Sequence, residues 1–187
     1  INLRVQYRTR KSHGTTVYDA AEDAADSVKY IKEHADELGV NLDLIVGGGH
    51  SAGGHLVSLL ECREQLGVKG TFKALMLSSA VVDTSPDGYQ NNDIKEDWES
   101  ISPYHNMTSI PPTIICHGDS DQAVKYQNAF DFTIKAMQQG SVCQLDTFHD
   151  ETHGLHKHES LDLMFEKMRL FLKARRLLEN YEGKRND

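Results

Sequence analysis

The sequence predicts an α/β fold: a mostly parallel sheet with helices on both faces. Three observations predict it. Short apolar runs alternate with helical periodicities through most of the chain, one such run ends in a glycine-rich turn that opens a helix, and no internal repeat interrupts the pattern. Strands separated by helix-length crossovers are joined as parallel neighbours.

Each element can be justified in turn. Asn2–Tyr7 (NLRVQY) alternates and predicts a strand. From Thr16 to Leu38 the residues Val17, Ala21, Ala24, Val28, Ile31, Ala35 and Leu38 recur at helical spacing, and Gly39 stands where a helix C-cap would. Leu42–Val46 is a short apolar run that predicts a strand, closed by Gly47, Gly48 and Gly49. A second helical pattern starts at Ala52 and continues through Leu56, Leu59 and Leu60. Phe72–Leu77 predicts a buried strand, and Val81–Tyr104, polar and aperiodic, a long loop. After the Pro111-Pro112 break come a strand at Thr113–Cys116, a helix at Val124–Met137, a strand at Val142–Phe148 and an amphipathic helix at Ser160–Leu178. One domain over residues 1–180 with a frayed tail at 181–187 is the organisation this implies.

Composition narrows the function. At 187 residues the chain can bury one core. A net charge of -8 with no clustered basic face argues against nucleic acid as a partner, because counterion release needs such a face. No run of eighteen apolar residues offers a membrane span. Cys62, Cys116 and Cys143 are odd in number and lie in apolar stretches, so they read as buried thiols and lean toward a reducing compartment.

The chemistry is concentrated at Gly49-His50-Ser51-Ala52-Gly53, which fits the G-x-S-x-G pattern of a serine exposed on a tight strand-to-helix turn. Its glycines are expected where side chains would clash with closely packed backbone. A serine hydroxyl needs a base to take its proton, and the base needs an orienting carboxylate. Asp121 follows the strand ending at Cys116 and His153 follows the strand ending at Phe148. The carboxyl ends of parallel strands share one edge, so Ser51, Asp121 and His153 can converge as a catalytic triad. Asp119 competes with Asp121, and His149, His156 and His158 compete with His153. His50 reads as a lining residue of the turn. His153, His156 and His158 lack a partnering cysteine or carboxylate pattern, and HExxH is absent, so no metal is expected.

The stretches GGGHSAGGHL, PPTIICHGDSDQAV and TF-x5-HG resemble the α/β-hydrolase esterases related to hormone-sensitive lipase and bacterial acetyl esterases. The resemblance implies that Ser51 is the nucleophile, Asp121 the acid and His153 the base. It further implies hydrolysis of small carboxylic esters, in some members acetyl or feruloyl groups on plant polysaccharides, without a cofactor. Amide cleavage of the arylformamidase or prolyl-oligopeptidase kind uses the same triad, and a catalytically impaired scaffold is a third reading. The family's HGGG segment, which supplies much of the oxyanion hole, does not occur in this sequence. Ala52, directly after the nucleophile, retains one oxyanion-hole donor in its N–H. The first sheet strands are accordingly expected to be missing, which would leave Asn2–Tyr7 as an exposed edge strand, open to pairing with a second copy of the chain.

Overall fold

The computed structural model of the chain describes residues 1–89, 94 and 97–178. Among these, β1 (Val46–His50), β2 (Ala74–Ser78), β3 (Thr113–Gly118) and β4 (Cys143–Phe148) form one sheet, all parallel and in sequence order. The helices are α1 (Arg10–His13), α2 (Val17–Glu33), α3 (Ala35–Leu38), α4 (Ala52–Cys62), α5 (Pro103–Asn106), α6 (Tyr126–Gln138) and α7 (His158–Ala174). This is the α/β-hydrolase arrangement that the sequence predicts.

Crossovers of one hand that always step the same way across a sheet lie on the same face. Here α4 and α6 pack with α2 over Leu75, Leu77 and Ile115. The opposite face, with Ala74, Ile114 and Cys116, is covered by α7 through Met164, Met168, Phe171 and Leu172. Adjacent strand residues therefore serve two separate cores, which explains why the burial of β2 and β3 is nearly continuous.

Local chemistry sets the element ends. Thr16 caps α2: its hydroxyl accepts from the Asp19 N–H (3.3 Å) while the Asp19 carboxylate accepts from the Thr16 N–H (2.7 Å). The helical pattern read as continuous to Leu38 is interrupted at His34, whose ring stacks on Tyr30 and whose Nδ1–H donates to the Tyr30 carbonyl (2.9 Å). Gly39 does close the second piece, in the left-handed conformation.

Three expectations need correction. Asn2–Tyr7 forms no strand: Ile1 to Gln6 are exposed and pair with no strand among the described residues, so the edge strand offered for pairing between copies is not formed. Alternation makes a strand only where a sheet accepts it. This segment instead leads to a clamp on α2, with the Arg8 N–H and Nη2 donating to Asp23 at 2.8 and 2.7 Å. Leu42–Val46 is largely a 3-10 turn at Leu42–Leu44, fixed by the Asn41 side chain accepting the Asp43 N–H, and the strand proper is the glycine run after it. Pairing with β2 selects that register, from Val46 opposite Ala74 to His50 opposite Ser78. The described part of the stretch 81–104 is irregular up to Tyr89 but ends in a 3-10 turn at Trp98–Ile101 and the start of α5, and it is not superficial, since Val81, Val82, Thr84, Ser85, Ile101 and Ser102 are buried. Part of the long loop, residues 90–93, 95 and 96, and the tail at 181–187 lie outside the described residues. No helix among those described is long and apolar enough to cross a membrane.

Candidate active site

The site lies along the carboxyl ends of β1, β3 and β4. Ser51 stands between β1 and α4 with φ 51° and ψ −117°, a conformation costly for any residue with a side chain. Its neighbours over-determine it. The Ser51 N–H donates to the Ser78 carbonyl (2.9 Å), and the Ser51 carbonyl accepts from His55 N–H (3.0 Å) and Val81 N–H (3.3 Å).

The glycines of the motif divide into two kinds. A Cβ at Gly49 would stand 2.5 Å from Gly53 O and Gly54 N, and one at Gly54 would stand 2.5 Å from Ala80 Cβ. A Cβ at Gly53 would meet nothing within 4 Å. Steric clash therefore accounts for Gly49 and Gly54 and not, as expected from the motif, for Gly53.

The acid and the histidine come from the next two turns of the edge. His153 Nε2 lies 3.0 Å from Ser51 Oγ, and His153 Nδ1 lies 2.8 Å from Asp121 Oδ2. The Asp121 side chain is fully buried, and its Oδ1 accepts the Ala123 N–H (2.8 Å) and the Val124 N–H (2.9 Å). Burial pushes the Asp121 carboxyl upward, but the hydrogen bonds from Val124, His153 and Ala123 outweigh it, and the net shift is downward. An ionised Asp121 requires that His153 donate from Nδ1, which leaves Nε2 free to accept the Ser51 proton.

Ala52 begins α4, which has no side-chain cap, and the first N–H groups of a helix have no carbonyl one turn back to bond. The Ala52 amide is thus free for an oxygen that becomes negative beside Ser51. His50 donates from Nδ1 to the Ser78 carbonyl (3.1 Å), and its ring lies 4.8 Å from that of His153. Burial, and then the nearby His153 charge, hold its pKa below the usual histidine value.

Among the described residues, none of the competing side chains hydrogen-bonds to Ser51, whose hydroxyl pairs with His153. Asp119 is partnered by His149 (2.9 Å) and by the Asp150 N–H (2.8 Å), and the His149 side chain is 84% exposed. His156 lies beside Gly154, and the side chain of His158 is 92% exposed.

Sequence reasoning missed two buried groups of this region. Glu151 accepts from Ser160 Oγ and so ties the His153 loop to the first turn of α7. His117 lies at the end of β3 against Asp121. Neither carries a periodicity or motif signal that separates it from an ordinary loop or strand-end residue.

Residues 18–175 match the prolyl oligopeptidase family. None of the curated proteins matches the chain. Among solved structures, the apo form of Thermogutta terrifontis esterase 2 is similar at 27% identity over 93% of this chain and 71% of that one, with a TM-score of 0.84. The propionate-bound esterase from the same species gives 26% identity, 92% and 71% coverage, and a TM-score of 0.83. Esterase 2 phosphoramylated by tabun gives 27%, 92% and 70%, and 0.84.

Proposed function

The chain belongs to the prolyl oligopeptidase family, a family of serine hydrolases, and from that membership we propose that it hydrolyses short-chain carboxylic esters through an acyl-enzyme on Ser51. The observation that carries the reading is the continuous path from Ser51 Oγ through His153 to Asp121, at 3.0 and 2.8 Å. His153 Nε2 takes the hydroxyl proton as Oγ attacks the ester carbonyl carbon, and the carbonyl oxygen gathers negative charge beside the Ala52 N–H. Collapse breaks the bond to the alcohol oxygen, which leaves with the proton from His153. A water molecule then repeats the sequence on the acyl-enzyme, releases the acid and restores Ser51. Asp121 keeps His153 in the tautomer both steps need.

Esters are favoured over amides because the similar solved structures are of an esterase, one with propionate bound and one phosphoramylated by tabun. Likeness to that esterase supports a short acyl pocket and a nucleophile reactive toward electrophiles in this chain as well. The family's name favours a second reading, cleavage of amide bonds next to proline. Turnover of p-nitrophenyl acetate, p-nitrophenyl butyrate, an aryl formamide and a dipeptidyl anilide, each with Ser51→Ala as control, separates the two. Preference for an amide overturns the ester assignment. Failure of a fluorophosphonate to label folded protein at Ser51 overturns both and leaves a scaffold without catalysis.

A further inference from the structure

His117, the penultimate residue of β3, is completely buried and plays no part in the proton path just described. Its Nε2 lies 2.9 Å from the Val124 carbonyl and 3.3 Å from Asp121 Oδ2. Its Nδ1 is enclosed, with no hydrogen-bond partner among the described residues. A buried N–H without an acceptor costs more than a buried lone pair without a donor, so the proton belongs on Nε2, where both facing atoms are acceptors. Burial also holds the imidazole neutral by pushing its pKa down.

The Asp121 carboxylate therefore accepts three hydrogen bonds and has a fourth N–H, that of His117, beside it. Two of the donors are backbone N–H groups on Oδ1, from Ala123 and Val124. The other two are side chains near Oδ2, His153 at 2.8 Å and His117 at 3.3 Å. Because the Asp121 side chain has no exposure, solvent cannot replace any of them. The same His117 N–H also holds the carbonyl of Val124, whose amide binds the other carboxylate oxygen. Its ring is held edge-on to Tyr126 at 6.0 Å, and Tyr126 Oη bonds Thr147 Oγ1 on β4 at 2.6 Å.

We infer that His117 is a positioning residue of the site, its shared Nε2–H fixing the Asp121 carboxylate in the orientation from which Oδ2 receives the His153 Nδ1–H. This rests on the esterase reading above. His117 makes no hydrogen bond to Ser51 or His153 and acts through the acid.

The test compares His117→Phe, which keeps a ring without a donor, with His117→Gln, whose amide can reach both acceptors. His117→Asn, too short to reach them, serves as the non-donating variant should the phenylalanine protein fail to fold. Kinetics with p-nitrophenyl acetate are read beside the downfield proton NMR resonance of the His153 Nδ1–H. For the non-donating variant, kcat falls about tenfold with KM nearly unchanged, the resonance broadens or moves upfield, and His117→Gln recovers most of both. Unchanged kcat and resonance in a folded non-donating variant overturn the inference, as does a glutamine variant no better than it. Wild-type protein with the resonance but no turnover sinks the esterase reading instead, so the two failures are distinguishable.

Discussion

Gly118 lies so close to Glu151 that a Cβ at position 118 would stand 2.6 Å from the Glu151 carbonyl carbon and overlap its oxygen. The same carbonyl accepts the Ser120 N–H (3.0 Å), so the loop carrying the acid and the loop carrying the histidine are held together by backbone. Gly118→Ala must push them apart. It is expected to cost about 1–3 kcal/mol of stability and to lower kcat at least tenfold as His153 leaves Asp121. Urea unfolding and p-nitrophenyl acetate turnover measure the two effects; an alanine variant with native kcat would refute the coupling.

Gly49→Ala and Gly53→Ala are expected to differ sharply, although both glycines belong to one motif. The first places a methyl group against backbone that cannot move and is expected to lose about 3 kcal/mol or more. The second enters open space at a helix start and gains about 0.5–1 kcal/mol of helix propensity. Thermal melts of the two proteins decide, and similar losses in both would contradict the packing described for the turn.

Asp121→Asn should lower kcat by about 10³–10⁴ with the fold retained, since the amide favours the wrong tautomer of His153. Asp119→Asn should change kcat less than about twofold, because its partner His149 is solvated and takes no part in the proposed proton path. A large loss at Asp119 and a small one at Asp121 would reverse the assignment of the acid.

Stability should decline on mild acidification. His55 is buried on α4 and donates from Nε2 to the Ile101 carbonyl (2.7 Å); burial lowers its pKa, as it does that of His117. The native state thus binds fewer protons than the unfolded chain once pH drops below the ordinary histidine value of about 6.5. Stability is full above that pH and falls below it, until the folded-state values are reached, by at most about 1.4 kcal/mol per pH unit for each histidine. His55→Gln keeps a donor without the titration. Its urea midpoint between pH 7 and 5 should fall less steeply than that of the wild type, and equal slopes would exclude His55 as a source.

Strand edges and pairing partners differ in how far a local pattern records them. Ser51, Asp121 and His153 could be named because parallel strands put their following turns on a single edge, and the structure places these three side chains within hydrogen-bond reach there. Pairing partners are not written in a local pattern. Asn2–Tyr7 alternates like a strand but pairs with none among the described residues, whereas Val46–His50, three of its five residues glycine, is a strand because β2 and α4 lie against it. His117 was invisible for a related reason: a histidine inside an apolar run shows its role only when its two nitrogens can be assigned surroundings. The Val81–Tyr104 stretch read as polar loop because its buried serines and threonines bond one another and nearby backbone, as Thr84 Oγ1 does to Trp98 O (3.0 Å), and hydropathy does not register that.

The all-parallel ladder has a kinetic consequence. Val46 pairs with Ala74, Leu75 with Thr113, and Thr113 with Cys143, so every rung closes a long loop before it yields any bond. Assembly should be slow compared with that of a helical bundle of equal length. Because Ser51, Asp121 and His153 follow three different strands, the proposed hydrolytic competence should emerge only with the final rung, so regain of turnover after dilution from denaturant would time the completion of the whole sheet.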